Sequence, residues 1–167
     1  MIRRFCLLAF AFSGAVGCSH LPSWSEPLLH PGRDIEERKA EMAESISQRQ
    51  ADTRLKAAQA HFASGETAKC RPLVEESLAL RPDSIPALRM AAEVALAEDR
   101  GADAIAYYRR LVELEPADAQ TRHLLGVALE IEGEVIEANE QFQRAAQLAP
   151  NNPVYRMSQI PTGPPIR

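Results

Sequence analysis

Three prolines fix the length of a recurring unit. Pro82, Pro116 and Pro150 are spaced evenly, since 116 − 82 and 150 − 116 are both 34. Leu80, Leu114 and Leu148 sit two residues before them. Gly65 and Gly133 lie two periods apart, and each is followed by a glutamate, Glu66 and Glu134. A period of this size is long enough for two helices and two turns. Glycine permits the reversal between the helices because positive φ costs it nothing. A proline just past the second helix cannot continue it. Ser84 and Asp118 then stand where the next helix needs an N-cap. One such hairpin cannot bury its apolar face alone, so consecutive hairpins must stack.

Composition agrees with closely packed helices. Aromatic residues make up only 5 % of the chain while apolar residues make up 46 %, and strands favour aromatic and β-branched side chains. Inside the period, the third unit shows Leu125-Gly126, Leu129, Gly133, Ala138, Phe142, Ala145 and Pro150. The second shows Ala92, Ala104, Tyr108 and Pro116, with Asp99 at the expected turn position and the glycine displaced to Gly101. The first, the most divergent, shows Ala58, Gly65, Cys70, Val74 and Pro82. These residues resemble the tetratricopeptide (TPR) pattern. The resemblance implies an all-α fold, a right-handed solenoid of three helix-turn-helix repeats at 51–84, 85–118 and 119–152. A charged helix, 34–50, precedes the repeats, with Asp34 and Glu37 placed for a capping box. Its apolar residues Ile35, Met42 and Ile46 form a thin stripe. That helix either runs on into the first repeat or packs as an N-terminal cap.

The chain starts with a different kind of signal. Arg3 and Arg4 precede the apolar run from Phe5 to Phe12, and small residues continue to Gly17. The run is shorter than the roughly 20 residues needed to span about 30 Å of hydrocarbon, so residues 1–17 are expected to be a secretory signal. Ala15-Val16-Gly17-Cys18 resembles the lipobox of bacterial lipoproteins, with Ala15 where leucine is usual. The resemblance implies cleavage before Cys18 and a covalent lipid on it, with no other cofactor expected. Ser19 in place of aspartate implies, by the same likeness, export to the outer membrane and residence on its periplasmic face. Residues 18–33 hold Pro22, Pro27, Pro31 and Gly32 and are expected to form a tether.

Charge and composition exclude several functions. Net charge is −4, and −6 without residues 1–17, which hold Arg3 and Arg4 and no acid. That is a poor balance for binding nucleic acid. The histidines, His20, His30, His61 and His123, lack metal-ligand spacing. Cys70 is expected at a helix–helix contact. No phosphate loop, nucleophile elbow or Cys-x-x-Cys motif is present, so the chain is not expected to be an enzyme. At the other end, 153–167 is a Pro-rich tail. Either Val154, Tyr155 and Met157 cover the end of the stack or that end meets a partner.

Function is then expected from a surface. In TPR arrays the first helix of each repeat lines a groove. Carrying those positions over gives Gln59 and Phe62, then Arg89, Glu93 and Leu96, then His123, Val127 and Glu130. Arg89 and His123 are candidates for receiving a carboxylate of a peptide. The layout resembles small TPR lipoproteins of pilus and secretion systems, including the pilotin group and the tight-adherence pilus lipoproteins. The resemblance implies a membrane-anchored scaffold for envelope proteins. An adaptor for peptidoglycan-remodelling enzymes is the second expectation, and a small-ligand carrier or hidden enzyme the third.

Overall fold

The period survives in the helix starts. The computed structural model describes residues 33–158, so the signal, Cys18, the tether before Arg33 and the tail from residue 159 onward lie outside the described residues. Seven helices occur among the described residues, which are 82 % helical with no strand. They are α1 (Arg33–Ala63), α2 (Thr67–Leu80), α3 (Ile85–Ala97), α4 (Gly101–Leu114), α5 (Ala119–Ile131), α6 (Val135–Leu148) and α7 (Pro153–Met157). Helices α3, α5 and α7 start 34 residues apart, and so do α2, α4 and α6. The chain divides into two units, Met1–Met42 and Ala43–Arg167. The described part of the first is helical and mostly exposed, with Ile35 and Met42 both open to solvent. The second contains the repeats.

Hydrogen bonds at the turns repeat with the same interval. At the end of each first helix the amides of Glu66, Arg100 and Glu134 donate to the carbonyls of His61, Ala95 and Leu129 at 2.8–2.9 Å. This six-to-one closure requires a left-handed residue just before the donor. Gly65 (φ +79°), Asp99 (φ +57°) and Gly133 (φ +82°) supply it. Aspartate is one of the few side chains that tolerate this region, which is why the second turn works without glycine. Gly101 lies inside α4 instead, where a Cβ would overlap the Glu132 carboxylate of the next turn.

The second type of turn holds the prolines. Amides of Arg81, Glu115 and Ala149 donate to the carbonyls of Ser77, Leu111 and Ala145. The next helix then begins from Ser84, Asp118 or Asn152. Asp118 accepts from the amides of Gln120 (3.1 Å) and Thr121 (3.3 Å), and Asn152 from Val154 (3.0 Å). Ser84 occupies the expected N-cap position, but its side chain makes no capping bond.

Three readings of the flanks are refined by these helices. The charged helix and the first helix of repeat one are one continuous helix, α1. Asp34 already lies in its first turn, so it is not placed as an N-cap. Residues Pro153–Met157 form α7, which begins in register as the first helix of a fourth unit. No residue of α7 is buried.

The core has two parts that share α3. Leu55, Ala58, Cys70 and Val74 of the first repeat meet Ala87, Met90, Ala91 and Val94. On the other side, Leu88, Ala92 and Ala95 join Tyr108, Leu111, Leu125, Leu129 and Phe142. Each large side chain fully buried here contributes about 1.5–3 kcal/mol. Cys70 is buried at this contact, with its thiol donating to the Ala58 carbonyl at 3.4 Å. Burial pushes its pKa up, leaving an inert thiol. Ser77, also buried, donates to the Ala51 carbonyl at 3.0 Å. Ion pairs tie successive units together at the surface: Arg110 to Asp83 at 2.6 Å and Arg109 to Glu137 at 2.9 Å. Exposed pairs of this kind contribute about 0.2–1 kcal/mol each, so apolar burial stabilises the stack more than they do.

The tightest approach is at Gly126 of α5. A Cβ there would lie 2.5 Å from a Phe142 ring carbon of α6. Gly126→Ala therefore destabilises the fold by about 1–3 kcal/mol through overpacking, despite alanine's better helix propensity. Urea denaturation of the two proteins checks this, and an unchanged or raised midpoint would contradict the contact.

Candidate functional site

An open groove of about 310 Å³ is lined by Gln59 of α1, by Ile85, Pro86, Arg89, Met90 and Glu93 of α3, and by Glu115 at the end of α4. Its polar stripe follows from the α3 sequence. Arg89 and Glu93 are the only charged residues in that helix, four apart and so on one face. Every other face of α3 is occupied by the core.

Three of the eight expected groove residues meet here: Gln59, Arg89 and Glu93. The other five are placed differently. Phe62 packs partly buried against the first core cluster, and Leu96 and Val127 against the second. Glu130 is exposed on α5. His123 is half-buried between two rings, with centroids 5.4 Å from Phe142 and 5.1 Å from Tyr155. Sequence reasoning missed Glu115, which a turn delivers to the groove beside α3. Its signal was its place directly before the periodic Pro116.

Arg89 is already engaged. Its guanidinium lies 3.5 Å from Asp118 Oδ2 and 3.8 Å from Glu115 Oε2. Burial raises the Asp118 pKa, but hydrogen bonds from the Thr121 hydroxyl (2.6 Å) and two amides outweigh it, with Arg89 adding to them. The carboxylate is therefore held below its ordinary value and stays charged. Beneath the groove, burial pushes the Tyr108 phenol up to about 12, with Glu93 raising it further and Arg89 opposing.

Arg89 and His123, the two residues expected to receive a carboxylate, sit in different surroundings. Arg89 shares the groove lining with Glu93 and Glu115 and pairs with Glu115 and with Asp118 beside the groove, so the lining itself carries one more carboxylate than guanidinium groups. Burial lowers the His123 pKa, and its Nδ1 is enclosed without a hydrogen-bond partner. With its pKa lowered, an imidazole packed against Tyr155 offers a carboxylate less positive charge than Arg89 does. The arrangement suits a segment bearing amide or cationic groups beside a short apolar side chain that reaches Ile85 and Pro86. Among the described residues, no group of three or more His, Cys, Asp or Glu is placed to hold a metal.

No protein-family model matches the sequence, and no curated protein matches it. Solved structures do match in fold. The first TPR domain of Spaghetti, bound to an HSP90 peptide, superposes with a TM-score of 0.62 at 16 % identity, over 67 % of this chain and 89 % of that one. A double mutant of MamA gives 0.62 at 22 % identity, over 72 % and 81 %. The C-terminal TPR-containing domain of a Plasmodium falciparum FK506-binding protein gives 0.61 at 19 % identity, over 70 % and 87 %. The chain has the TPR solenoid fold.

The His123 environment sets a pH dependence. Its folded-state pKa is depressed, so the unfolded chain binds the extra proton as pH falls below the ordinary value of 6.5. The stabilisation from neutral His123 is full above that value and is lost as pH drops toward the folded-state pKa. Wild type should lose more stability between about pH 7.5 and pH 5 than His123→Phe. Denaturation midpoints at both pH values measure this, and parallel losses in the two proteins would contradict it.

Proposed function

We propose that this chain is a non-catalytic scaffold. In this reading it is held to the periplasmic face of a bacterial outer membrane by lipid on Cys18, and it helps assemble or localise an envelope complex such as a pilus or secretion system. The observation that carries the binding role is the groove at Gln59, Arg89 and Glu93. It is open, mixed in polarity, and centred on α3, whose other faces are committed to the core. A peptide partner is in keeping with the fold, since a TPR domain of the same architecture is bound to an HSP90 peptide. That is analogy at the level of fold. The membrane setting rests on residues of the sequence: Arg3 and Arg4, the apolar run after them, and Cys18 behind small residues. No described helix is long and apolar enough to cross a membrane. A lipid on Cys18 would supply attachment without one, each buried CH₂ contributing about 0.8 kcal/mol.

Affinity capture of the full chain from detergent-solubilised membranes tests the role. Components of one pilus or secretion assembly should co-purify. Gln59→Arg with Glu93→Arg should reduce that recovery at least ten-fold while helicity stays unchanged, because neither residue is buried. Undiminished recovery would reject the groove, and recovery of cell-wall hydrolases instead would support an adaptor for peptidoglycan remodelling. In parallel, radiolabelled palmitate should mark the wild type and leave Cys18→Ser unlabelled. Equal labelling of both, or of neither, would remove the anchor.

A further inference from the structure

The three turns between the first and second helix of each repeat are alike in backbone and unlike in surface. At the third turn Ile131, Val135 and Ile136 are 66 %, 52 % and 83 % exposed. One period earlier the same positions hold Ala97, Gly101 and Ala102, and two periods earlier Ala63, Thr67 and Ala68. Backbone geometry therefore does not demand large aliphatic residues there. Charge diverges in the same place. Residues 130–140 contain five glutamates and no lysine, arginine or histidine, whereas 62–72 carry Glu66 against Lys69 and Arg71. Val135 and Ile136 lie with Glu134, Glu137 and Glu140 around an open depression of about 550 Å³. Arg109 neutralises only part of this rim, 2.9 Å from Glu137 and 3.7 Å from Glu134. The depression shares no residue with the groove at Arg89.

A cluster of exposed aliphatic side chains with a polar rim marks an interaction surface. Its sign selects the occupant. An acidic rim opposes an anionic lipid surface and attracts lysine and arginine. We propose that the third turn is a second docking surface, which takes a segment of another protein carrying aliphatic side chains flanked by lysine or arginine. Ile136 and Val135 receive the aliphatic part, and Glu134 and Glu140 face the cations.

Photo-cross-linking in the intact cell tests this, with benzoylphenylalanine placed at position 136 of the full chain and, as the internal control, at position 102. The expected result is a protein adduct at 136 with at least five-fold higher yield than at 102. Its cross-linked peptide should combine aliphatic residues with lysine or arginine. Glu134→Gln with Glu140→Gln, both exposed and so tolerated by the fold, should cut that yield at least five-fold. The proposal is overturned by an adduct to lipid, to a second copy of this chain or to a segment without basic residues. Equal yields at 136 and 102, or a yield insensitive to the two glutamines, would overturn it as well. The same probe at Gln59 reports on the groove alone, so failure of one surface is distinguishable from failure of the other.

Discussion

Burial of α3 on two adjoining sides is the constraint from which the rest of the structure follows. Seven of its thirteen residues are buried: Ala87, Met90, Ala91 and Val94 toward the first repeat, and Leu88, Ala92 and Ala95 toward the second and third. A helix that is apolar nearly all round is stable only inside a protein. Its neighbours must therefore present matching apolar faces, which Val74 and Cys70 do on one side and Tyr108 and Leu111 on the other. The one stripe left over carries Arg89 and Glu93, and that stripe becomes the groove. Groove and core are two consequences of one helix sequence.

The turns convert this local packing into a regular stack. Positive φ at Gly65, Asp99 and Gly133 closes each hairpin with the same hydrogen bond. Pro82, Pro116 and Pro150 end each unit at the same point. Identical turns give identical offsets, so every unit meets the next through equivalent positions. Stability then falls off toward the ends. Helix α7 has no buried residue and is held in part by the Tyr155–His123 ring contact, while the start of α1 is exposed apart from Asp34 and Ser47. Regions with few buried contacts open first. Both proposed binding surfaces sit on helices that are anchored in the core, α3 for the groove and α6 for the third turn.

The fold was legible because it depends on spacing, and spacing is written in the sequence. Prolines, turn residues and the small–large pattern of Gly126 and Phe142 each have a direct physical meaning. Asp99 was recognisable as a turn residue because it sits one period from two glycines. The site was legible only in part. The family pattern marks which positions of a first helix face inward, and Gln59, Arg89 and Glu93 of those positions line one open groove. It cannot show which of them the local neighbours have already used. Leu96 and Val127 went to the core because adjacent helices approach closely there. His123 was covered by Tyr155, one of the residues expected to cover the end of the stack, though the sequence did not show that His123 lay beneath it. Arg89 was taken by Asp118 and Glu115, twenty-nine and twenty-six residues away in the chain. Ion pairs between units depend on the superhelical offset, which no local pattern encodes.

Native-state hydrogen exchange tests the central role of α3 most directly. The amides of Ala91 to Ala95 should exchange only through global unfolding, with protection at least equal to that of α5, while those of α7 and the first turns of α1 exchange through local fraying. Exchange of the α3 amides by local opening, ahead of α5 and α6, would show that the two halves of the core are independent and would contradict a stack organised around this helix.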